Sequence, residues 1–207
     1  VLENSLDAGA RRLEIDIEQG GRALIRVRDD GVGIPRDELA LALARHATSK
    51  IASLEDLEQV ASLGFRGEAL PSIASVSRLT LTSRISDSEA GWQVSGDGSE
   101  RVMTPEPAAH PQGTTVEIRD LFFNTPARRK FLRAEATEYK HIEDVVRRIA
   151  MSRFNVDIAL SHNQRAQWRL PAAQLQAQRD QRIARLCGQP FIEQSLFVEH
   201  AAVDLRL

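Results

Sequence analysis

The sequence has little of what staples a fold or anchors it in a membrane. Among 207 residues there is one cysteine, Cys187, along with one tyrosine and two tryptophans. A lone thiol can make neither an internal disulfide nor a cysteine zinc site, and it fits a reducing cytosol. No apolar run approaches the roughly 18 residues that a membrane helix needs. The longest candidate, 39–44, is mostly alanine and leucine. No signal peptide is visible. These absences predict a cytoplasmic protein with no membrane partner. Excess charge of one sign is missing too, since 27 Lys and Arg stand against 29 Asp and Glu, a formal charge of −2. That balance argues against a nucleic-acid binder working through global charge and leaves room for a local basic patch.

The commonest catalytic signatures are also absent. There is no G-x-x-x-x-G-K-[ST] phosphate loop. Gly31-Val32-Gly33 lacks the third glycine of G-x-G-x-x-G, because Arg36 stands there. That removes the dinucleotide fingerprint and the protein-kinase glycine loop. No H-E-x-x-H or G-x-S-x-G occurs and the five histidines are dispersed, so zinc-peptidase and serine-hydrolase chemistry lack support.

What remains is ordinary globular composition, 42% hydrophobic and 27% charged, in a chain long enough for one good-sized domain and part of a second. The chain opens at Val1 and stops at Leu207 inside an alternating apolar run, so both ends read as cut from a longer protein. A helix end over 1–8 stops at Gly9. Leu13, Ile15 and Ile17 alternate with acids as a strand wet on one face, Gly20-Gly21 turns, and 24–27 returns. Helices are expected over 35–46, with Pro35 in the first turn, over 54–61 after Ser53, and over 68–76. Strands are expected over 79–85, 91–95 and 114–118. The strongest helix, 136–151, shows Tyr139, Ile142, Val145, Val146 and Ile149 on one face. A hairpin follows over 156–160 and 166–170. Residues 173–181, rich in Gln and Ala, read as a linker between a domain over 1–172 and the start of a second over 182–207, whose first helix stops at Gly188. The early hairpin favours an α+β layered fold with a largely antiparallel sheet.

Three segments carry candidate chemistry. Glu3-Asn4-Ser5-Leu6-Asp7-Ala8-Gly9-Ala10 is a helix bearing Asn and acids. Asp29-Asp30-Gly31-Val32-Gly33, taken alone, is a turn. Leu63-Gly64-Phe65-Arg66-Gly67-Glu68-Ala69-Leu70 is a glycine loop at a helix start, able to meet an anion with backbone N–H groups. In this order and spacing they resemble the GHKL ATPases, a superfamily of gyrase-type topoisomerases, ninety-kilodalton heat-shock chaperones, histidine kinases and MutL proteins. Arg45-His46-Ala47-Thr48-Ser49-Lys50-Ile51, the Gly64–Leu70 segment and Phe123-Asn124-Thr125-Pro126-Ala127-Arg128-Arg129-Lys130-Phe131-Leu132 look like the MutL mismatch-repair family over essentially the whole chain.

The resemblance implies a GHKL (Bergerat-type) two-layer sandwich, with a mixed, mostly antiparallel sheet and helices on one face. It also implies ATP and Mg²⁺ as ligands. Asn4 would coordinate the Mg²⁺, for which a carboxamide oxygen is a sound hard-cation donor. Asp29 would accept from the adenine amino group. Gly31 and Gly33 would let the backbone approach the base. Thr48, Ser49 and Lys50 with Gly64, Phe65, Arg66 and Gly67 would form a lid over the phosphates. Thr114, in Gly113-Thr114-Thr115, would assist adenine recognition. The family's general base is a Glu four residues before the Mg²⁺-binding Asn, one helical turn away on the same face. Here that position falls immediately before Val1. Glu3 does not replace it, because it points about 100° around the helix from Asn4.

For the parent protein the resemblance implies a nucleotide-switched clamp. It would form a homodimer on ATP binding and work with the mismatch-recognition protein MutS and a downstream repair nuclease or helicase. DNA contact would be weak or local. Arg128, Arg129, Lys130 and Arg133 form the main basic cluster. The favoured reading of that cluster is a solvated helix start beside buried Phe131 and Leu132, with phosphate contact as the alternative. His46 and His141 read as structural, and Trp92 and Trp168 as packing residues. Two rival functions stay open: an ATPase subunit of a type II topoisomerase, against which the Arg45–Ile51 and Asn124–Arg128 segments count, and a non-catalytic nucleotide-binding scaffold.

Overall fold

Alternating segments become strands, and the strands join in one sheet. The computed structural model describes residues 1–44, 68–98 and 104–196. In chain order these form α1 (Leu2–Asp7), β1 (Arg12–Glu18), β2 (Leu24–Asp29), α2 (Arg36–Ala42), α3 (Ala69–Ala74), β3 (Arg78–Arg84), β4 (Gly91–Gly96) and β5 (Glu106–Ala108). Then come β6 (Gly113–Arg119), α4 (Pro126–Arg129), α5 (Glu135–Ser152), β7 (Asp157–His162), β8 (Arg165–Leu170), α6 (Gln176–Cys187) and α7 (Gln189–Glu193). Among the described residues no helix is long and apolar enough to cross a membrane.

Among the described residues the sheet has eight strands in the order β5-β4-β3-β6-β2-β1-β7-β8. Only β1 and β7 pair in parallel; β1–β2, β2–β6, β3–β6, β3–β4, β4–β5 and β7–β8 are antiparallel. Register puts Leu13, Ile15 and Ile17 on one face with Ile25, Val27, Val116, Ile118, Leu79, Leu81, Val94, Ile158 and Leu160. The core helices cover that face. Val146 and Ala150 of α5 pack on β1, β2 and β7, while Leu39 of α2 with Leu70 and Ala74 of α3 pack on β3, β4 and β6. Each fully buried Leu or Ile contributes about 1.5–3 kcal/mol relative to exposure. The other face is polar and holds cross-strand ion pairs such as Arg26–Asp16 at 2.8 Å and Arg28–Glu14 at 4.0 Å. Half-exposed pairs of this kind contribute about 0–1 kcal/mol each.

Several expectations shift. The helix expected over 35–46 is described as Arg36–Ala42 and ends in i→i+3 bonds from Leu43 to Ala40 and from Ala44 to Leu41. Pro35 lies one residue earlier than expected, at the N-cap. His46 and the helix expected over 54–61 lie outside the described residues. Strand β5 was not foreseen. It carries Pro107 and sits at the sheet's edge, where a missing N–H is tolerated. Val145, expected on the apolar face of α5, is half exposed, and Val146 and Ala150 carry the burial. Phe131, expected buried, is 85% exposed. Helix α4 lasts only four residues, so nothing folds Phe131 back onto the core.

Residues 176–181, read from sequence as part of a linker, are the first half of α6. The buried residue of that helix is Arg182, which is why no apolar stripe betrayed it. Its guanidinium donates to the carbonyls of Ala150 (3.2 Å) and Arg153 (3.2 Å) at the end of α5, Val156 (2.7 Å) before β7, and Leu170 (3.4 Å) and Pro171 (2.9 Å) after β8. Arg147 of α5 returns the arrangement by donating to the Leu186 carbonyl near the end of α6 (3.1 Å).

Candidate functional site

One rung of the sheet breaks the apolar pattern. Reading across β7, β1, β2, β6, β3 and β4, cross-strand partners run Ile158, Leu13, Asp29, Thr114, Ser83, Trp92. Asp29, Thr114 and Ser83 therefore sit side by side on the helix-covered face, at 6%, 7% and 0% exposure. A buried carboxylate must be met by donors, and this one is. Its Oδ2 accepts from the Ser5 hydroxyl at 2.6 Å. Its Oδ1 accepts from the backbone N–H of Gly31 at 3.0 Å and of Thr114 at 3.2 Å. A carboxylate offers about four lone-pair directions, so with these three donors among the described residues roughly one remains for a further donor.

The neighbouring Asp30 does different work. Its Oδ1 accepts from the backbone N–H of both Arg11 and Arg12 at 2.7 Å, fixing the entry to β1. Of the two acids in Asp29-Asp30-Gly31, only the first belongs to the buried rung.

Each glycine of the loop has a structural reason of its own. A Cβ on Gly31 would lie 2.8 Å from the Ala8 carbonyl oxygen, where α1 ends. Gly33 has φ +81°, and a Cβ there would lie 2.3 Å from the Arg84 carbonyl oxygen. The loop thus runs tightly between α1 and the end of β3. Val32 donates from its backbone to the Ala8 carbonyl at 3.1 Å, and Ile34 donates to Ser83 Oγ at 2.8 Å.

Asn4 lies on α1 one turn before Ala8, and its backbone carbonyl accepts from Ala8 N at 3.0 Å. That spacing places Asn4 on the helix side that meets the glycine loop. The next residue, Ser5, ties α1 to Asp29. Together, Asn4, Asp29, Gly31, Gly33 and Thr114 surround one end of the sheet. Thr48, Ser49, Lys50, Gly64, Phe65, Arg66 and Gly67 lie outside the described residues.

Two residues of this cluster carried no assigned role in the sequence. Ser5 lies within the Glu3–Ala10 segment. Ser83 follows Leu79 and Leu81 at an inward position of β3, and that polar break in an apolar row is the signal that marks it. On the opposite face, behind Thr114, His110 holds Thr115. The Pro111 carbonyl can only accept, so Nδ1 carries the proton (2.7 Å) and Nε2 accepts from the Thr115 hydroxyl (2.7 Å). Burial pushes this imidazole below its usual pKa.

Chemically the rung is an acceptor site at a sheet end, flanked by a glycine loop and a helix bearing a carboxamide. It suits a flat ligand that presents an N–H to Asp29. Among the described residues no group of three His, Cys, Asp or Glu gathers to cage a metal ion. A divalent cation here would take most of its ligands from water and ligand oxygens, as Mg²⁺ does beside phosphates.

Comparison with known proteins agrees with this geometry. A family model described as histidine kinase-, DNA gyrase B- and HSP90-like ATPase matches residues 1–112. The DNA mismatch repair protein MutL of Citrobacter koseri is 58% identical over all 207 residues, and that of Escherichia coli O17:K52:H18 is 59% identical. The chain spans about one third of the length of these curated relatives, 33% and 34%. Among solved structures, the Aquifex aeolicus MutL ATPase domain complexed with ADP superimposes with a TM-score of 0.67 at 32% identity, over 89% of this chain and 64% of that one. The N-terminal domain of a DNA repair protein reaches 0.74 at 21% identity, over 96% of this chain and 58% of that one, which shows the fold.

Proposed function

The chain belongs to the histidine kinase-, DNA gyrase B- and HSP90-like ATPase family, as a nucleotide-binding region of the MutL type, and we propose that it binds ATP with the adenine amino group on Asp29. The observation that carries this reading is the buried carboxylate with three donors already in place and about one lone-pair direction left. Its edge accepts an exocyclic N–H and repels the carbonyl that guanine carries at the equivalent position. Thr114 assists at the same edge. The glycine loop keeps side chains away from the base.

The donor chemistry fits Mg²⁺ at Asn4. The carboxamide oxygen would hold the ion, which neutralises phosphate charge when bound. Thr48, Ser49, Lys50 and Gly64 to Gly67 are proposed to close over the phosphates. Hydrolysis in the parent would use a carboxylate base four residues before Asn4, at the position immediately preceding Val1.

For the parent protein we propose the work of a mismatch-repair clamp: dimerisation on ATP binding, response to the mismatch-recognition protein MutS, and delivery to a downstream nuclease or helicase in the cytoplasm. A domain boundary belongs to the same proposal: the end of the sheet at Leu170 supports a point near residues 173–181, and the docking of α6 through Arg182 favours one after Cys187. Local DNA contact at Arg128, Arg129, Lys130 and Arg133 is supported by the exposure of these side chains around Phe131.

The test is calorimetric titration with a non-hydrolysable ATP analogue and Mg²⁺, beside Asp29→Ala. Saturable binding that the variant weakens by about 10- to 100-fold, the worth of one charge-assisted hydrogen bond, is expected. Equal binding by both proteins would refute adenine at Asp29.

A further inference from the structure

Ser83 is the most deeply buried member of the polar rung, at 0% exposure, and it has more partners than protons. Its Oγ lies 2.8 Å from the Ile34 N–H, which can only donate. It lies 2.9 Å from the Gly113 carbonyl, which can only accept. It lies 2.9 Å from Thr114 Oγ1, which can do either. A hydroxyl has one proton and two lone pairs. The arrangement that satisfies all three partners has Thr114 donating to Ser83 and Ser83 donating to Gly113. In that state the Thr114 proton is turned away from the ligand edge beside Asp29.

Adenine presents two different groups on that edge. The amino group donates, and the adjacent ring nitrogen, N1, accepts. Asp29 serves the first. Thr114, whose backbone N–H already bonds Asp29, serves the second only if its proton turns outward, directly to N1 or through one water. Its oxygen then needs a donor behind it, and Ser83 is placed to be that donor by swinging its proton from Gly113 to Thr114 Oγ1. No bond between heavy atoms breaks and no proton leaves its oxygen; two hydroxyls rotate.

We propose that Ser83 is a positioning residue of the nucleotide site, which parks the Thr114 proton in the empty site and backs the Thr114 hydroxyl when it donates to the base. The proposal rests on the adenine reading of Asp29. It also gives the glycine loop its link to the same switch, because Ile34 at the loop's end donates to the Ser83 oxygen. Paired hydroxyls of this kind strengthen each other in a buried setting, so the outward Thr114 donor is stronger than an isolated one.

The experiment is a double-mutant cycle in the full-length protein, read by displacement of a fluorescent non-hydrolysable ATP analogue. Ser83→Ala is expected to weaken ATP binding about five- to tenfold, the worth of one neutral hydrogen bond. Thr114→Val should weaken it similarly, and the double variant should be no weaker than Thr114→Val alone. With 1-deaza-ATP, which has a C–H in place of N1, Ser83→Ala should have no effect. Losses that multiply in the double variant, or an equal loss on 1-deaza-ATP, would mean that Ser83 only supports the fold and would overturn the proposal. If Ser83→Ala fails to fold, Ser83→Cys, of nearly the same shape with a weaker donor, takes its place in the cycle. Asp29→Ala separates the two levels of the argument. If it leaves ATP binding intact, the adenine reading falls; if it abolishes binding while the Ser83 variants bind like wild type, only the role of Ser83 falls.

Discussion

Replacing Asp29 by asparagine should separate folding from binding, and the hydrogen bonds around the carboxylate say why. The two backbone donors, Gly31 N–H and Thr114 N–H, both converge on Oδ1. The side-chain donor, Ser5, meets Oδ2 alone. An asparagine can place its carbonyl oxygen where Oδ1 stands and keep both backbone bonds. Its amide nitrogen then faces Ser5, whose hydroxyl turns from donor to acceptor and sends its proton to the Val1 carbonyl one turn back, a bond that serine readily makes in helices. Every buried polar group stays satisfied. The change exchanges charge-assisted bonds for neutral ones, which costs about 1–2 kcal/mol of stability. Asp29→Ala removes the acceptor for all three donors and should cost about 2–4 kcal/mol. The ligand edge behaves in the reverse sense. Asparagine presents N–H where the adenine amino group also presents N–H, so ATP loses a charge-assisted bond and gains a donor–donor contact. A loss of at least about 30-fold in affinity is expected. Urea denaturation and calorimetric titration on the same preparations decide the matter. The reasoning fails if Asp29→Asn binds ATP within about threefold of wild type, or if it destabilises the protein more than Asp29→Ala.

Arg182→Ala should destabilise the protein by about 3–5 kcal/mol in urea denaturation, because it strands buried carbonyls at the ends of α5 and β8 and before β7. Arg182→Lys should recover part of that loss, since an ammonium has fewer donors and no planar fork; equal stability of Arg182→Ala and wild type would show that the guanidinium is not holding α6. Tyr139, the only tyrosine in the chain, is pushed up to about 12 by burial and then by the charge of Glu143. Its raised folded-state pKa means that its contribution to stability is fully present below about pH 10 and is lost as pH rises toward 12. Ultraviolet titration of the phenolate should give a midpoint near 12 in the native protein and near 10 in urea, and a native midpoint near 10 would show the ring to be solvated.

The wet-face alternation of residues 13–17, the hairpin into β2 and the hairpin of β7 and β8 were legible because each depends on neighbours a few residues apart. The parallel pairing of β1 with β7 was not, since it joins segments about 145 positions apart and no local pattern encodes it. The first half of helix α6, residues 176–181, reads as a linker for a related reason. Its buried side chain is a guanidinium satisfied by main-chain carbonyls, and a pattern that counts apolar residues passes over it. Phe131 failed in the opposite direction: an aromatic beside a leucine reads as core, yet the four-residue α4 gives it nothing to pack against.

The candidate site shows the same division within single residues. Each inward row is two apolar side chains and then a polar one at the same end of the sheet: Ile25, Val27, Asp29 on β2; Ile118, Val116, Thr114 read backwards on β6; Leu79, Leu81, Ser83 on β3. In the sequence each break is an isolated event with an ordinary explanation, a turn aspartate, a strand threonine, a serine at a strand end. Only the register of three antiparallel strands puts them on one rung, where Ser5 of α1 and the backbone N–H groups of Gly31 and Thr114 meet the carboxylate, while Ser83 is met by Ile34, Gly113 and the Thr114 hydroxyl. A lone buried polar residue in such a row would be eliminated by its desolvation cost. Three on one rung, with a carboxylate that keeps a direction open for a further donor, are what the proposed adenine contact needs. The proposed ligand edge is therefore a property of the register of β2, β6 and β3, and no one strand's pattern carries it.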